Sequence, residues 1–100
     1  MICTPRSGDG LVVPPVIYRT RNLALLVARI NRASSSSGPL RFTSWFRTAA
    51  GNARVCGARS SLHLTGLAVD VVPRNRVQAT AAFKLAGLRV LDEGDHLHLS

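Results

Sequence analysis

Two stretches of the chain carry apolar residues at the spacing of an α-helix. The first covers residues 20–33, where one face of the predicted helix holds four aliphatic side chains: Leu23, Leu26, Val27 and Ile30. The second begins after Asn75, a favourable N-cap residue, and runs to Ala86, just before Gly87. A shorter helix is predicted over residues 48–56. We expect the two longer helices to pack on the core through their apolar faces.

Other stretches have the pattern of strands. Residues 40–46 alternate between the two faces, residues 67–72 are apolar except for Asp70, and residues 88–91 form a further short strand. In residues 96–99 polar and apolar positions alternate, so His96 and His98 share one face while Leu97 and Leu99 enter the core. These elements predict a small α+β domain, with a short and mainly antiparallel sheet that carries helices on one face.

Length and composition are consistent with one folded domain over residues 1–100. The hydrophobic fraction of 46% excludes a disordered chain. Residues 1–18 are expected to form an irregular lead-in, and the Ser/Gly/Pro-rich residues 34–39 a loop. No apolar stretch is long enough to span a membrane, and Pro14 and Pro15 interrupt the best candidate for a signal peptide. We therefore expect synthesis in the cytoplasm. Whether Cys3 and Cys56 are free thiols or form a disulfide stays open.

The net charge of +8 arises from twelve arginines and one lysine spread along the chain. Such a charge favours anionic partners, and nucleic acid is the obvious candidate. The sequence has no run of basic residues, no motif that reads bases and few aromatic residues for stacking. We therefore do not expect specific recognition of nucleic acid. Attraction to an anionic cell envelope explains the charge equally well, and so does a solvated basic surface.

The candidate chemistry is concentrated in two segments, residues 61–70 and residues 95–98. They contain all three histidines and two of the five carboxylates of the chain. Imidazole and carboxylate are ligands of catalytic zinc, which keeps a fourth position for water. Gly66 indicates a bend that could bring His63 and Asp70 to one ion. Asp70 lies in an apolar segment without a cationic neighbour, and a metal would offset the cost of burying its charge.

The order and spacing of these polar residues resemble a known family. A serine and a histidine precede an aspartate, and an aspartate and a histidine pair follow near the C-terminus: Ser61, His63, Asp70, Asp95, His96 and His98. This pattern is similar to that of the zinc D-alanyl-D-alanine carboxypeptidases, which include vancomycin-resistance dipeptidases and phage L-alanyl-D-glutamate endopeptidases. Residues 44–48, followed by Asn52 and Gly57, look like the aromatic-arginine segment of that family. The resemblance covers residues 40–99.

The resemblance implies a hedgehog-like fold and a zinc ion held by His63, Asp70 and His98. It also implies that Asp95 is the general base. Arg47 and His96 would stabilise the oxyanion or a substrate carboxylate, a chemistry that suits a guanidinium. Ser61 would contact the substrate, although its hydroxyl could instead cap a turn. Asn52 is expected to be a structural hydrogen-bonding residue.

The resulting hypothesis is a monomeric zinc peptidase that hydrolyses peptidoglycan stem peptides or cross-links. The resemblance further suggests a phage endolysin or a virion-associated wall hydrolase, released or delivered to the cell wall. Two alternatives stay open: a non-catalytic zinc-binding domain of the same fold, and a basic module that binds nucleic acid. The sequence does not identify which peptide bond is cleaved.

Overall fold

The computed structural model of the protein describes residues 12–15, 21–54 and 61–100. Within these residues the chain forms three α-helices, one 3₁₀ helix and four strands, in this order: α1 (Arg21–Ser34), β1 (Leu40–Ser44), α2 (Ala49–Arg54), the 3₁₀ helix Leu62–Thr65, β2 (Val69–Pro73), α3 (Arg76–Leu85), β3 (Val90–Asp92) and β4 (Leu97–Leu99). The predicted α+β class is confirmed. None of the described helices is long and apolar enough to cross a membrane.

The four strands form one sheet in the order β1-β2-β4-β3, and all neighbouring strands are antiparallel. The two central strands, β2 and β4, place Asp70 directly opposite His98. Successive side chains of a strand point to opposite faces, so the flanking residues lie on the other face of the sheet. They are Val69, Val71, Leu97 and Leu99, all buried. As predicted, the polar residues of the site lie on the face opposite the core.

The core lies between the sheet and the helices α1 and α3. The largest buried side chain in it is Phe83 of α3. Three of the four residues predicted for the apolar face of α1 are buried, Leu23, Leu26 and Ile30, whereas Val27 is only half-buried and Ala33 is buried in addition. A slip of either central strand by one residue would expose its apolar side chains and bury its polar ones. Burial of this apolar face therefore fixes the register that sets Asp70 opposite His98.

Several element ends match the sequence and others differ. The N-cap of α3 is Asn75, as predicted, and its side chain accepts a hydrogen bond from the backbone N–H of Gln78 at 3.0 Å. The strand β1 ends at Ser44, two residues earlier than expected. The backbone N–H of Arg47 donates instead to the carbonyl oxygen of His63 at 2.9 Å, and that of Phe46 donates to Val12 at 3.0 Å. The chain directly after β1 is therefore hydrogen-bonded to the segments of Val12 and His63 and does not continue the pairing with β2.

The strand predicted over residues 88–91 is found at Val90–Asp92, and the short helix predicted over residues 48–56 is found at Ala49–Arg54. Other predictions concern residues that the structure does not describe. Cys3, Cys56 and Gly57, together with most of the expected lead-in, lie outside the described residues. The question of a disulfide and the single-domain prediction therefore stay as they were.

Candidate metal centre

The 3₁₀ helix Leu62–Thr65 carries His63 towards the sheet. Ser61 is its N-cap, and the Ser61 hydroxyl accepts a hydrogen bond from the backbone N–H of His63 at 3.3 Å. Gly66 ends the helix with a φ of 75°, in the left-handed region that favours glycine. A Cβ atom at this position would collide with the ring of Pro14. The bend predicted at Gly66 is therefore present, and it returns the chain to β2 and Asp70.

The imidazole of His63 is buried and held at both nitrogens. Nδ1 lies 2.6 Å from the carbonyl oxygen of Trp45, which can only accept a hydrogen bond, so Nδ1 is the protonated nitrogen. Nε2 lies 3.1 Å from Oδ1 of Asp70. In the neutral ring, Nε2 thus carries the lone pair that a metal requires.

Asp70 and His98 approach each other across the two central strands. Nδ1 of His98 lies 3.3 Å from Oδ1 of Asp70, and the His98 ring meets the His63 ring edge to face at a centroid distance of 5.0 Å. One ligand atom from each of the residues His63, Asp70 and His98 lies within 4.8 Å of the other two. The structure therefore brings together the three metal ligands that the resemblance implies, and one ion could contact all three at bond lengths of about 2 Å.

The other oxygen of Asp70 is bound by Arg47. Nη2 of Arg47 donates to Oδ2 of Asp70 at 2.8 Å, and both side chains are buried. The expectation that Asp70 lacks a cationic partner holds only for its own segment, because Arg47 comes from the loop after β1. Burial alone would raise the pKa of Asp70. When the imidazoles are protonated, hydrogen bonds from His63 and His98, together with electrostatic attraction by His63 and His96, outweigh burial and hold that pKa well below its usual range.

His96 and Asp95 form a pair at the edge of the site. Nδ1 of the buried His96 lies 2.5 Å from Oδ1 of Asp95, whose side chain is 59% exposed. Nε2 at the other end of the ring lies 3.6 Å from Oδ1 of Asp70 and is hydrogen-bonded to none of the described residues. The Asp95 carboxylate thus contacts the imidazole nitrogen on the side away from Asp70. Its closest link to the candidate ligands runs through His96.

Glu93 is a candidate site residue that the sequence analysis missed. Its Oε1 lies 3.5 Å from Nε2 of His96 and 3.5 Å from Nδ1 of His98. With Asp70 and His96 it forms a second group of metal-ligand type. The signal available in the sequence was an acidic residue three positions before the first histidine of the pair. That turn is closed by a hydrogen bond from the backbone N–H of Glu93 to the carbonyl oxygen of His96 at 3.0 Å.

The donor set of the site suits a cation. His63 and His96 each direct Nδ1 to an outer acceptor, so their Nε2 lone pairs face the Asp70 carboxylate. Hydrogen-bond acceptors that face one another at this distance are favourable only with a proton or a metal ion between them. Imidazole nitrogens with carboxylate oxygens are ligands that zinc accepts. The residues present therefore fit zinc.

Comparison with known proteins identifies a family. The profile of the family described as Peptidase M15 matches residues 2–99 of the chain. No curated protein and no solved structure shows significant similarity to it.

Proposed function

This chain belongs to the Peptidase M15 family of zinc peptidases that act on peptidoglycan, and from this membership we propose that it is a D,D-carboxypeptidase or endopeptidase of phage type. Its substrate is a peptidoglycan stem peptide or cross-link. The observation that carries the proposal is that Nε2 of His63 and Nδ1 of His98 lie 3.1 Å and 3.3 Å from Oδ1 of Asp70, within reach of a single ion. Beside them lies Nε2 of His96, which has no hydrogen bond to any described residue.

The chain would hold zinc through residues that are already oriented. His63 is fixed by the Trp45 carbonyl oxygen and Asp70 by Arg47, while His98 is placed by strand pairing. A bound zinc ion would supply a Lewis acid for the scissile carbonyl and lower the pKa of a water molecule. Because the ligand side chains are already held in place, they would need little rearrangement to bind the ion.

Proton transfer is assigned to Asp95 together with His96. The resemblance makes Asp95 the general base, and the structure supports a role for it that is exerted on the His96 ring. The Asp95 carboxylate accepts a hydrogen bond from Nδ1–H of His96, which keeps the lone pair of Nε2 on the side of the ligands. Nε2 accepts a proton from the attacking water and passes it to the leaving amine, while Asp95 stabilises the charged imidazole.

The substrate contacts follow from the resemblance and are also proposals. Ser61 is half-buried and lies beside His63, so its hydroxyl could contact a peptide as well as cap the 3₁₀ helix. His96 would stabilise negative charge on the tetrahedral intermediate when its ring is protonated. We also propose that the protein reaches the cell wall by phage-type release or delivery, and that it acts there as a monomer. Its positive charge would favour an anionic envelope.

Hydrolysis of purified peptidoglycan tests the proposal, with products identified by mass spectrometry and zinc content measured for every sample. The variants are wild type, His63→Ala and Thr65→Ala, the last being an exposed residue of the same 3₁₀ helix. We expect cleavage by wild type and Thr65→Ala, and loss of both zinc and cleavage in His63→Ala.

Three other results would contradict the proposal. Zinc binding without hydrolysis would indicate a non-catalytic zinc domain. Salt-sensitive binding to DNA or RNA that survives chelation, without hydrolysis, would indicate a nucleic-acid-binding module. Absence of zinc from the folded wild type would remove the metal site itself.

A further inference from the structure

The guanidinium of Arg47 is hydrogen-bonded to buried groups in the interior of the protein. Nε donates to Oγ of Ser44 at 3.1 Å, Nη1 donates to Oδ1 of Asn52 at 3.2 Å, and Nη2 donates to Oδ2 of Asp70 at 2.8 Å. Ser44, Asn52 and Asp70 are themselves buried, and Arg47 is only 6% exposed. Each of the three guanidinium nitrogens thus has a protein acceptor. A guanidinium that grips a substrate carboxylate needs two N–H groups directed outwards instead.

The two oxygens of Asp70 face different partners. Oδ2 is bound by Arg47, while Oδ1 faces Nε2 of His63 at 3.1 Å and Nδ1 of His98 at 3.3 Å. A carboxylate can bind a metal through one or both oxygens, depending on how freely it rotates. Arg47 removes that freedom, because turning the carboxylate would break a buried and charge-assisted hydrogen bond.

We propose that Arg47 is a positioning residue that acts through Asp70 and presents a single oxygen of that carboxylate to the metal. The proposal rests on the zinc site of the proposed function and assigns Arg47 a different role from the substrate contact that the resemblance implies. Ser44 and Asn52 hold the guanidinium in plane, so they belong to the same support. The β-bulge between Phe42 and Ser44 contributes, since it sets Ser44 opposite Asp70.

The two roles of Arg47 predict different measurements. Loss of a partner that orients a metal ligand weakens metal binding, typically by about 10-fold to 100-fold. Loss of a substrate contact raises KM and leaves metal binding unchanged. Zinc affinity, measured by competition with a chelating dye of known affinity, therefore separates them without reference to activity.

Arg47→Lys and Asn52→Ala are the informative variants. Lysine keeps the positive charge but cannot contact three acceptors in a fixed plane. Asn52→Ala leaves the charge in place and removes one support of the guanidinium, away from Asp70. Arg41→Lys is the matched control, because Arg41 lies on β1 and is exposed. Circular dichroism of each variant establishes that it is folded before zinc is added.

For Arg47→Lys we expect zinc affinity to fall by about 10-fold to 100-fold. A smaller loss is expected for Asn52→Ala and none for Arg41→Lys. At saturating zinc, the KM for a stem peptide should stay near the wild-type value. Unchanged zinc affinity with a raised KM would overturn the proposal in favour of substrate binding. Unchanged zinc affinity with unchanged KM would overturn it as well.

The outcome for the wild type distinguishes this inference from the proposed function. If wild type binds zinc but does not cleave peptidoglycan, the proposed function fails, and the zinc affinities of the variants still decide the role of Arg47. If wild type cleaves and Arg47→Lys keeps full zinc affinity, only the inference about Arg47 fails. If folded wild type does not bind zinc, both fail.

Discussion

Nδ1 of His63 lies 2.6 Å from the backbone carbonyl oxygen of Trp45. Two further hydrogen bonds join the same segments. The indole N–H of Trp45 donates to the carbonyl oxygen of Gly66 at 2.7 Å, and the backbone N–H of Arg47 donates to the carbonyl oxygen of His63 at 2.9 Å. The chain after β1 and the 3₁₀ helix thus orient each other. Because a backbone atom holds the His63 ring, the orientation of this ligand depends on the path of the chain after β1.

Removal of the indole N–H tests that arrangement. Trp45→Phe keeps an aromatic ring but leaves the part-buried carbonyl oxygen of Gly66 without this donor, which should cost about 1–3 kcal/mol of unfolding free energy. Urea unfolding of the zinc-free protein measures the change. Phe42→Leu, at an exposed aromatic residue of β1, is the control and should cost less. Equal stability of Trp45→Phe and wild type would show that the indole bond does not support the turn.

Gly66 and Gly94 provide a matched pair for backbone strain. Both have a positive φ, 75° and 92°, but a Cβ at Gly66 would strike Pro14 whereas nothing lies within 4 Å of a Cβ at Gly94. Gly94→Ala should cost roughly 1 kcal/mol from strain alone, and Gly66→Ala clearly more. Thermal unfolding compares the two variants. Similar losses would mean that the Pro14 contact yields without cost.

Substitutions of His98, which lies in β4, and of His96, which directly precedes that strand, should have different effects. His98→Ala removes a candidate ligand, so zinc should be lost along with hydrolysis. In His96→Ala the three candidate ligands stay in place, so zinc should be retained while hydrolysis falls by about 100-fold or more. Zinc content by mass spectrometry and hydrolysis of peptidoglycan are measured on both proteins. Loss of zinc from His96→Ala would instead identify His96 as a ligand.

Added zinc should stabilise the wild type more than either ligand variant. A ligand that binds only the folded state raises stability by about 2.7 kcal/mol at 100 times its Kd. The melting temperature of chelator-treated wild type should therefore rise with zinc concentration, and that of His63→Ala should not. Thermal scans with zinc, and with magnesium as the control ion, measure the effect. Equal responses to both ions would argue against a site that selects zinc.

Asp95→Asn is expected to lower kcat by about 100-fold, within the usual range for acid–base residues, and to retain zinc. The amide cannot stabilise a charged His96 ring as the carboxylate does. Glu93→Gln is the comparison, because Glu93 also lies 3.5 Å from Nε2 of His96. Its effect on kcat should be the smaller of the two. A larger loss in Glu93→Gln, with zinc retained, would indicate that Glu93 rather than Asp95 stabilises the charged His96 ring.

Local pattern was sufficient to predict the secondary-structure elements. The helical spacing of α1, the N-cap at Asn75 and the alternation around His96 and His98 each depend on neighbours within a few residues, so the sequence shows them directly. The bend at Gly66 is local for the same reason. The candidate set of His63, Asp70 and His98 came from motif order, and the burial of the apolar face of the sheet explains how these residues meet.

The tertiary structure alone decided which partners complete the site. The bond between Arg47 and Asp70 spans 23 residues, and the bond between Trp45 and His63 spans 18, so no local period encodes either one. The inward position of Glu93 and the outward contact of Asp95 depend on the turn before β4. Periodicity fixes which face a side chain occupies. The atom that it contacts there depends on strand register, the β1 bulge and the left-handed turn at Gly66, which arise only when distant segments pack together.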